Sequence, residues 1–290
     1  MALLSLNGEL VESEQARVSV FDRGLLFGDG LFETIRAEQG RALLWREHLD
    51  RLFEGLDFLQ IRPPLSREAF EAAARELLER LGYRSARMRI AVTRGLMQSP
   101  SPVARFADLH RATVVITASE LKPAPFPGRV RCALVKEIRR DDFSPLSVRK
   151  TLNYLASLLA RELAARRGAQ EAILTDTFGF LSEASMANLF WLRGDQLYRP
   201  SEQCGALPGV TAGLVCRLAQ GLGGAVQPVE ARPEDLAQDD LPFLTNAIVG
   251  MARVESLDDL AFCPSPQAQE AFGGIAEAFR AQYPIASDAF

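Results

Sequence analysis

The sequence predicts an α+β chain in two domains. Three observations carry this. Runs rich in β-branched residues, ARMRIAVTRG and RATVVITASE, read as strands. Other stretches carry apolar residues at helical spacing. Between residues 121 and 128 the chain reads LKPAPFPG, with three prolines and a glycine, a composition that marks a linker. The boundaries drawn from it are a domain at 1–120, a linker at 121–128 and a domain at 129–290.

Each element has a local reason. ALLSLNGELV is two short apolar runs joined by Asn7-Gly8, a strong hairpin signal. LFETIRAEQGRALLW repeats the pattern with its turn near Gln39-Gly40. REHLDRLFEGLDFLQI places Leu49, Leu52, Phe53, Leu56 and Leu59 on one helical face. Ser66 caps the next helix, which stops at Gly82. After the linker, RVRCALVKEI reads as a strand. TLNYLASLLARELAARRG is a long helix that runs from Thr151 to a stop at Gly168. EAILTDTFGFLSEASMANLFWLRGDQLYRP alternates strands and turns, and a helix opens just after Pro208-Gly209. LPFLTNAIVGMARV is a buried strand followed by a turn.

Composition narrows the function. The formal net charge of -4 and pI of about 5.5 give no basic field for nucleic acid or an anionic membrane. The pairs Arg139-Arg140 and Arg166-Arg167 read as solvated surface. The N-terminus turns polar too early for a signal peptide and has no positively charged start. No apolar run approaches the about 18 residues of a membrane span, so the expectation is a cytoplasmic protein. The four cysteines are widely spaced without C-x-x-C, and His48 and His110 are the only histidines. That excludes a zinc ribbon, a disulfide framework and a His-rich metal site.

The chemistry begins at VRKTLNYL. Lys150 is one of three lysines in a chain that otherwise uses arginine. A lysine can lose its proton when desolvated and act as an amine nucleophile, which arginine cannot. In LSEASMANLFW, Glu183 sits among small and apolar residues, where a buried carboxylate needs a partner such as a protonated ring nitrogen. ALPGVTAGLV opens a helix with a glycine and a threonine, and free N–H groups with the helix dipole suit a phosphate. LTNAIVG offers a second small polar cluster after an apolar strand. An amine, a carboxylate for a ring nitrogen and a phosphate cradle together describe a pyridoxal phosphate site.

At these residues the chain resembles the class IV, or fold-type IV, pyridoxal-phosphate enzymes. The resemblance runs in order through FDRGLLFGDGLFETIR (21–36), EHLDRL (47–52), VTRG (92–95), RKTLNYLASLLARELA (149–164), EAILTDTFGFLSEASMANLFW (171–191), LPGVT (207–211) and LTNAIVGMARV (244–254). It implies a D-amino acid aminotransferase-like fold with a smaller N-terminal domain, a larger C-terminal domain and the cofactor between them. It also implies a small-molecule amino substrate and a homodimer. Lys150 is then the lysine that forms a Schiff base with pyridoxal 5′-phosphate and shuttles the proton. Glu183 pairs with the pyridine nitrogen. Arg51 holds the phosphate with Val210 and Thr211, and Asn246 sits beside it. Tyr154 and Asn188 line the site.

KTLNY, FETIR and LTNAIVG resemble the 4-amino-4-deoxychorismate lyases within the family, with aminotransferases of D- or branched-chain amino acids as the alternative and a non-catalytic homologue as a remote one. The lyase resemblance places Thr34 beside the reacting group. Arg94, ahead of Arg23 and Arg36, is the candidate for a substrate carboxylate.

Overall fold

The computed structural model describes residues 3–96, 111–121 and 128–284. Of the expected linker, residues 122–127 lie outside the described residues. The chain divides into two compact units: Met1–Pro123 with Arg149–Asn153, and Ala124–Val148 with Tyr154–Phe290.

In chain order the first unit contains β1 (Leu3–Leu6), β2 (Glu9–Glu12), α1 (Arg23–Phe27), β3 (Gly30–Glu38), β4 (Arg41–Ala42), α2 (Trp45–Phe58), α3 (Arg67–Leu81), β5 (Ser85–Leu96) and β6 (Arg111–Glu120). Its strands form one sheet in the order β2-β1-β6-β5-β3-β4. The first hairpin turns at Asn7 and Gly8, both at positive φ (54° and 94°), as a two-residue turn between twisted strands requires. Gln39 and Gly40 make the second turn in the same way.

Alternation decides which face is covered. Leu31, Ile35 and Ala37 of β3, with Met88, Ile90 and Val92 of β5, pack against Leu49, Leu52 and Leu56 of α2 and Phe70 and Leu77 of α3. Phe70 and Leu77 are wholly buried, and each contributes about 2–3 kcal/mol of apolar burial. Helix α3 starts where Ser66 Oγ accepts the N–H of Ala69 and stops at Gly82, as its sequence signals. Helix α2 stops at Phe58, ahead of the expected Ile61, because Gln60 turns to φ 54°.

The segment Arg149–Asn153 also belongs to this unit. The Phe32 N–H donates to the Lys150 carbonyl at 2.9 Å, and the Leu152 N–H to the Gly30 carbonyl at 3.0 Å. Leu31 faces Thr151 in an antiparallel bridge. The helix expected from Thr151 therefore begins at Leu155 instead: residues 150–152 use their backbone groups on β3, and those groups cannot serve a helix as well.

The second unit contains β7 (Arg129–Arg139), α4 (Leu155–Arg166), β8 (Glu171–Thr175), β9 (Leu181–Ala184), β10 (Asn188–Arg193), β11 (Gln196–Pro200), α5 (Val210–Gly221), β12 (Val226–Val229), β13 (Leu241–Asn246), β14 (Gly250–Leu257), β15 (Leu260–Ala261) and α6 (Pro266–Gln282). Strands β10-β13-β14-β7-β8-β9 follow one another, and β9 returns to β10 where Glu183 faces Asn188. The sheet thus closes on itself as a barrel, which removes free edges. Strands β11 and β12 extend from β10, and β15 pairs with β14. Ala160 and Ala164 of α4 pack on Val135 and Leu174. On β13, Phe243 stacks on Phe190 and meets Phe272 of α6 edge-on, both at 5.3 Å between ring centroids.

Candidate active site

In the first unit the site is built on β3. Successive side chains of a strand point to opposite faces, so Leu31, Glu33 and Ile35 look toward the helices and Phe32, Thr34 and Arg36 look the other way. Lys150 pairs with that second face. Its Nζ lies 4.6 Å from the Phe32 ring centroid, and Arg89 of β5 covers the same ring at 3.8 Å. Amine, hydroxyl and guanidinium are therefore presented on one face of one sheet.

Close packing holds the lysine there. A Cβ on Gly30 would lie 2.4 Å from the Val92 carbonyl oxygen and 2.8 Å from Leu152 Cδ1, contacts that force a shift. Gly30→Ala is expected to loosen the 150–152 segment and to cost about 1–3 kcal/mol. The thermal melting midpoint should fall with it. An unchanged midpoint would mean that the segment does not depend on this contact.

Behind β3 lies a buried charge cluster. Glu33, 1% exposed, takes two hydrogen bonds from Arg51, Nε to Oε1 at 2.8 Å and Nη2 to Oε2 at 2.7 Å. His48 Nδ1 donates to Oε2 at 2.7 Å. Burial raises the Glu33 carboxyl, but the Arg51 charge and the hydrogen bonds from His48 and Arg51 outweigh it and bring it down to about 2. Burial lowers His48, so its ring is held neutral. Arg51 is thus locked in a fork, a fixed geometry suited to an oxyanion.

Arg94 sits on the packed side of β5. It shares parity with Ile90 and Val92 and lies inside, 2% exposed. Its Nε donates to Asp29 at 2.8 Å, and its terminal nitrogens donate to the carbonyls of Leu59 and Gln60. These bonds give the Arg94 guanidinium a structural part inside the first unit. Arg23 is buried too and shares Asp29 at 2.6 Å. Arg36 pairs with Glu38 at 2.5 Å on the Thr34 face. Arg89 is the arginine that composition and motif did not single out.

In the second unit Glu183 and Asn188 face each other across β9 and β10, and both reach Leu207. The Leu207 N–H donates to Glu183 Oε2 at 3.0 Å, and the Leu207 carbonyl accepts Asn188 Nδ2 at 2.7 Å. The pair so fixes the run-in to α5. Gly209 is needed beside it, because a Cβ there would lie 1.9 Å from Asn188 Oδ1. Gly209 caps α5 without a side-chain hydrogen bond, which leaves the first-turn N–H groups of Val210 and Thr211 for an anion. The Asn246 Oδ1 accepts the N–H groups of Ile248 and Val249 at 2.9 and 2.8 Å, so this asparagine shapes the turn after β13. Tyr283 O–H ties the same turn down through the Ala247 carbonyl at 2.6 Å. Tyr154 O–H reaches the Ser185 carbonyl at 3.4 Å.

Of the pair read as solvated surface, Arg139 is exposed and Arg140 is not. The Arg140 Nε lies 3.0 Å from Glu183 Oε1. The only signal for it in the sequence is indirect. A buried carboxylate among small residues calls for a cation, but this one lies far upstream, and no local pattern connects the two.

The family model for amino-transferase class IV matches residues 30–257. The chain belongs to the class IV aminotransferase family. This class IV enzyme is 34% identical over 256 residues to a putative branched-chain-amino-acid aminotransferase of Methanocaldococcus jannaschii, covering 87% of each chain. It is 27% identical over 262 residues to the aminodeoxychorismate lyase of Bacillus subtilis, covering 90% of this chain and 88% of the relative. Among solved structures, the branched-chain aminotransferase of the archaeon Thermoproteus uzoniensis with norvaline superposes with a TM-score of 0.86 at 25% identity, covering 99% of this chain and 97% of that one. Other solved branched-chain aminotransferases that superpose on the chain hold pyridoxamine 5′-phosphate or N-(5′-phosphopyridoxyl)-L-glutamate. The cofactor of the class IV enzyme is pyridoxal phosphate. Taken unit by unit, the residues have chemistry that suits such a group: the second unit offers a helix start without a side-chain cap, suited to a phosphate, and a carboxylate 8% exposed, suited to a protonated ring nitrogen, and the first offers a lysine amine, suited to an aldehyde. No helix among the described residues is long and apolar enough to cross a membrane.

Proposed function

We propose that the enzyme is a 4-amino-4-deoxychorismate lyase, which releases 4-aminobenzoate and pyruvate. The observation that carries this reading is the shared face of β3, where the Thr34 hydroxyl and the Lys150 amine point the same way beside Phe32. Amino-group exchange needs the lysine as proton carrier. Elimination of pyruvate also needs a proton delivered to the leaving enolpyruvate, and a neighbouring hydroxyl can supply it.

Bound pyridoxal phosphate supplies an aldehyde for the substrate amine and a ring that withdraws electrons. In this reading Lys150 Nζ would take the proton from the amine-bearing carbon of the substrate. The proton then held on Lys150 would pass through the Thr34 hydroxyl to the departing enolpyruvate, which leaves Thr34 protonated and Lys150 neutral as before, and the substrate ring would become aromatic. Arg89 binds a substrate carboxylate in place of Arg94. Arg51, Val210 and Thr211 hold the phosphate, Glu183 pairs with the ring nitrogen, and Asn246, Asn188 and Tyr154 keep the surrounding backbone in place.

A second reading, an aminotransferase of branched-chain or D-amino acids, is favoured by the 34% identical relative. It uses the same cofactor residues and differs in needing a 2-oxo acid acceptor. A homodimer accords with both. Apolar side chains lie exposed along 18–27, among them Val20 at 65% and Leu25 at 68%, and on α4 at Leu155, at 77%, and such patches mark association surfaces.

The deciding experiment supplies purified holoenzyme with aminodeoxychorismate and follows 4-aminobenzoate and pyruvate. A parallel assay supplies D- and L-amino acids with 2-oxoglutarate. Stoichiometric release of both products without acceptor is the expected result. Amino transfer with no 4-aminobenzoate would overturn the lyase reading in favour of the second.

A further inference from the structure

Glu183 is engaged on both oxygens within its own unit. Oε1 meets Arg140 Nε at 3.0 Å, and Oε2 accepts the Leu207 N–H at 3.0 Å. Arg140 has not drifted onto the nearest carboxylate. Its Nη2 donates to the Ser147 carbonyl at 2.8 Å and its Nε to the Gly205 carbonyl at 3.3 Å. Its backbone N–H is bonded to the Thr175 carbonyl at 2.8 Å. The two side chains are 21% and 11% exposed, so solvent screens the pair only partly.

We propose that Arg140 is a charge-setting and positioning partner of Glu183. It fixes the carboxylate and shares its charge, so that the cofactor's ring nitrogen faces a partly compensated anion. The inference rests on the reading that Glu183 pairs with that nitrogen. A carboxylate alone beside a pyridine nitrogen would hold the ring proton tightly; a cation held against its far oxygen opposes this. An arginine gives constant opposition, because it keeps its charge throughout the working pH range. The arrangement moderates the electron-withdrawing power of the ring without removing it.

The test uses holoenzyme loaded with pyridoxal phosphate carrying 15N in its ring and reads the nitrogen chemical shift against pH. Glu183→Gln is the control for the underlying reading and should move the ring-nitrogen titration to lower pH. Arg140→Gln should move it to higher pH by about one unit, a tenfold rise in proton affinity. Arg140→Lys, which keeps the charge, should stay near the wild type. If Arg140→Gln does not fold, Arg140→His offers an imidazole that is neutral above about pH 7.5, and the upward displacement should appear only there. A titration that moves in Glu183→Gln but stays or falls in the Arg140 variants overturns the charge-setting role and leaves the Glu183 reading intact. No movement in Glu183→Gln overturns that reading itself, and the inference with it.

Discussion

Lys150→Ala should lose turnover by about 10⁴-fold while the protein keeps its fold. The backbone of residue 150 is what pairs with β3, through its carbonyl and the Phe32 N–H. Removing the side chain leaves that bond in place and removes only the amine over the Phe32 ring. The visible absorbance of lysine-linked cofactor should vanish, and pyridoxal phosphate should become removable by dialysis. Borohydride reduction of the wild type followed by peptide mass analysis gives an independent reading, made simple by the scarcity of lysine. The other two are Lys122 and Lys136, and Lys136 lies exposed on β7. The tag should appear on Lys150 alone. Full turnover in the alanine variant, or a tag on Lys136, would sink the assignment.

The parts of the proposed site that the sequence singles out are those whose chemistry requires one residue type. An imine requires a lysine, and a phosphate at a helix start requires free N–H groups, so Lys150 and the run-in to α5 stand out in VRKTLNYL and LPGVT. Hairpins were legible because Asn7-Gly8 and Gln39-Gly40 supply the positive φ that their turns need. The start of α4 was not, because the pattern from Thr151 onward is helical by itself. What stops a helix there is the pairing of 150–152 with a strand about 120 positions earlier. The placement of the arginines was not legible for a similar reason. Strand parity puts Arg94 with Ile90 and Val92 on the packed face and Arg89 on the open one, and a motif around VTRG does not weigh parity. Parity also exposes Glu33: an acid at an inward position of β3 needs a cation from the covering helix, and EHLDRL carries His48 and Arg51 three residues apart on one face. The closure of the barrel through one pair, Glu183 opposite Asn188, has no local signal.

Glu33→Ala should be the most destabilising single change in the first unit. It removes the buried acceptor of two Arg51 donors and of His48 Nδ1, and breaking such a cluster from one side costs about 3–5 kcal/mol. Arg51 would also lose the fork that aims it, so cofactor affinity should drop with stability. Pairing the change with Arg51→Met separates the two effects: the double variant should regain stability, because carboxylate and guanidinium leave together, and should not regain affinity. The cluster sets an acid limit as well. Glu33 is held at about 2 against its ordinary 4.5, so its contribution of about 3 kcal/mol is complete above pH 4.5 and disappears as pH falls toward 2. His48 is kept neutral by burial, below its ordinary 6.5, so the unfolded chain takes up a proton there first, and stability begins to decline once pH drops under 6.5. Urea unfolding midpoints between pH 8 and pH 3 should therefore fall steadily in the wild type and much less steeply in the double variant. Equal slopes would show that the cluster is not what acid attacks, and that Arg51 is held in place by something other than Glu33.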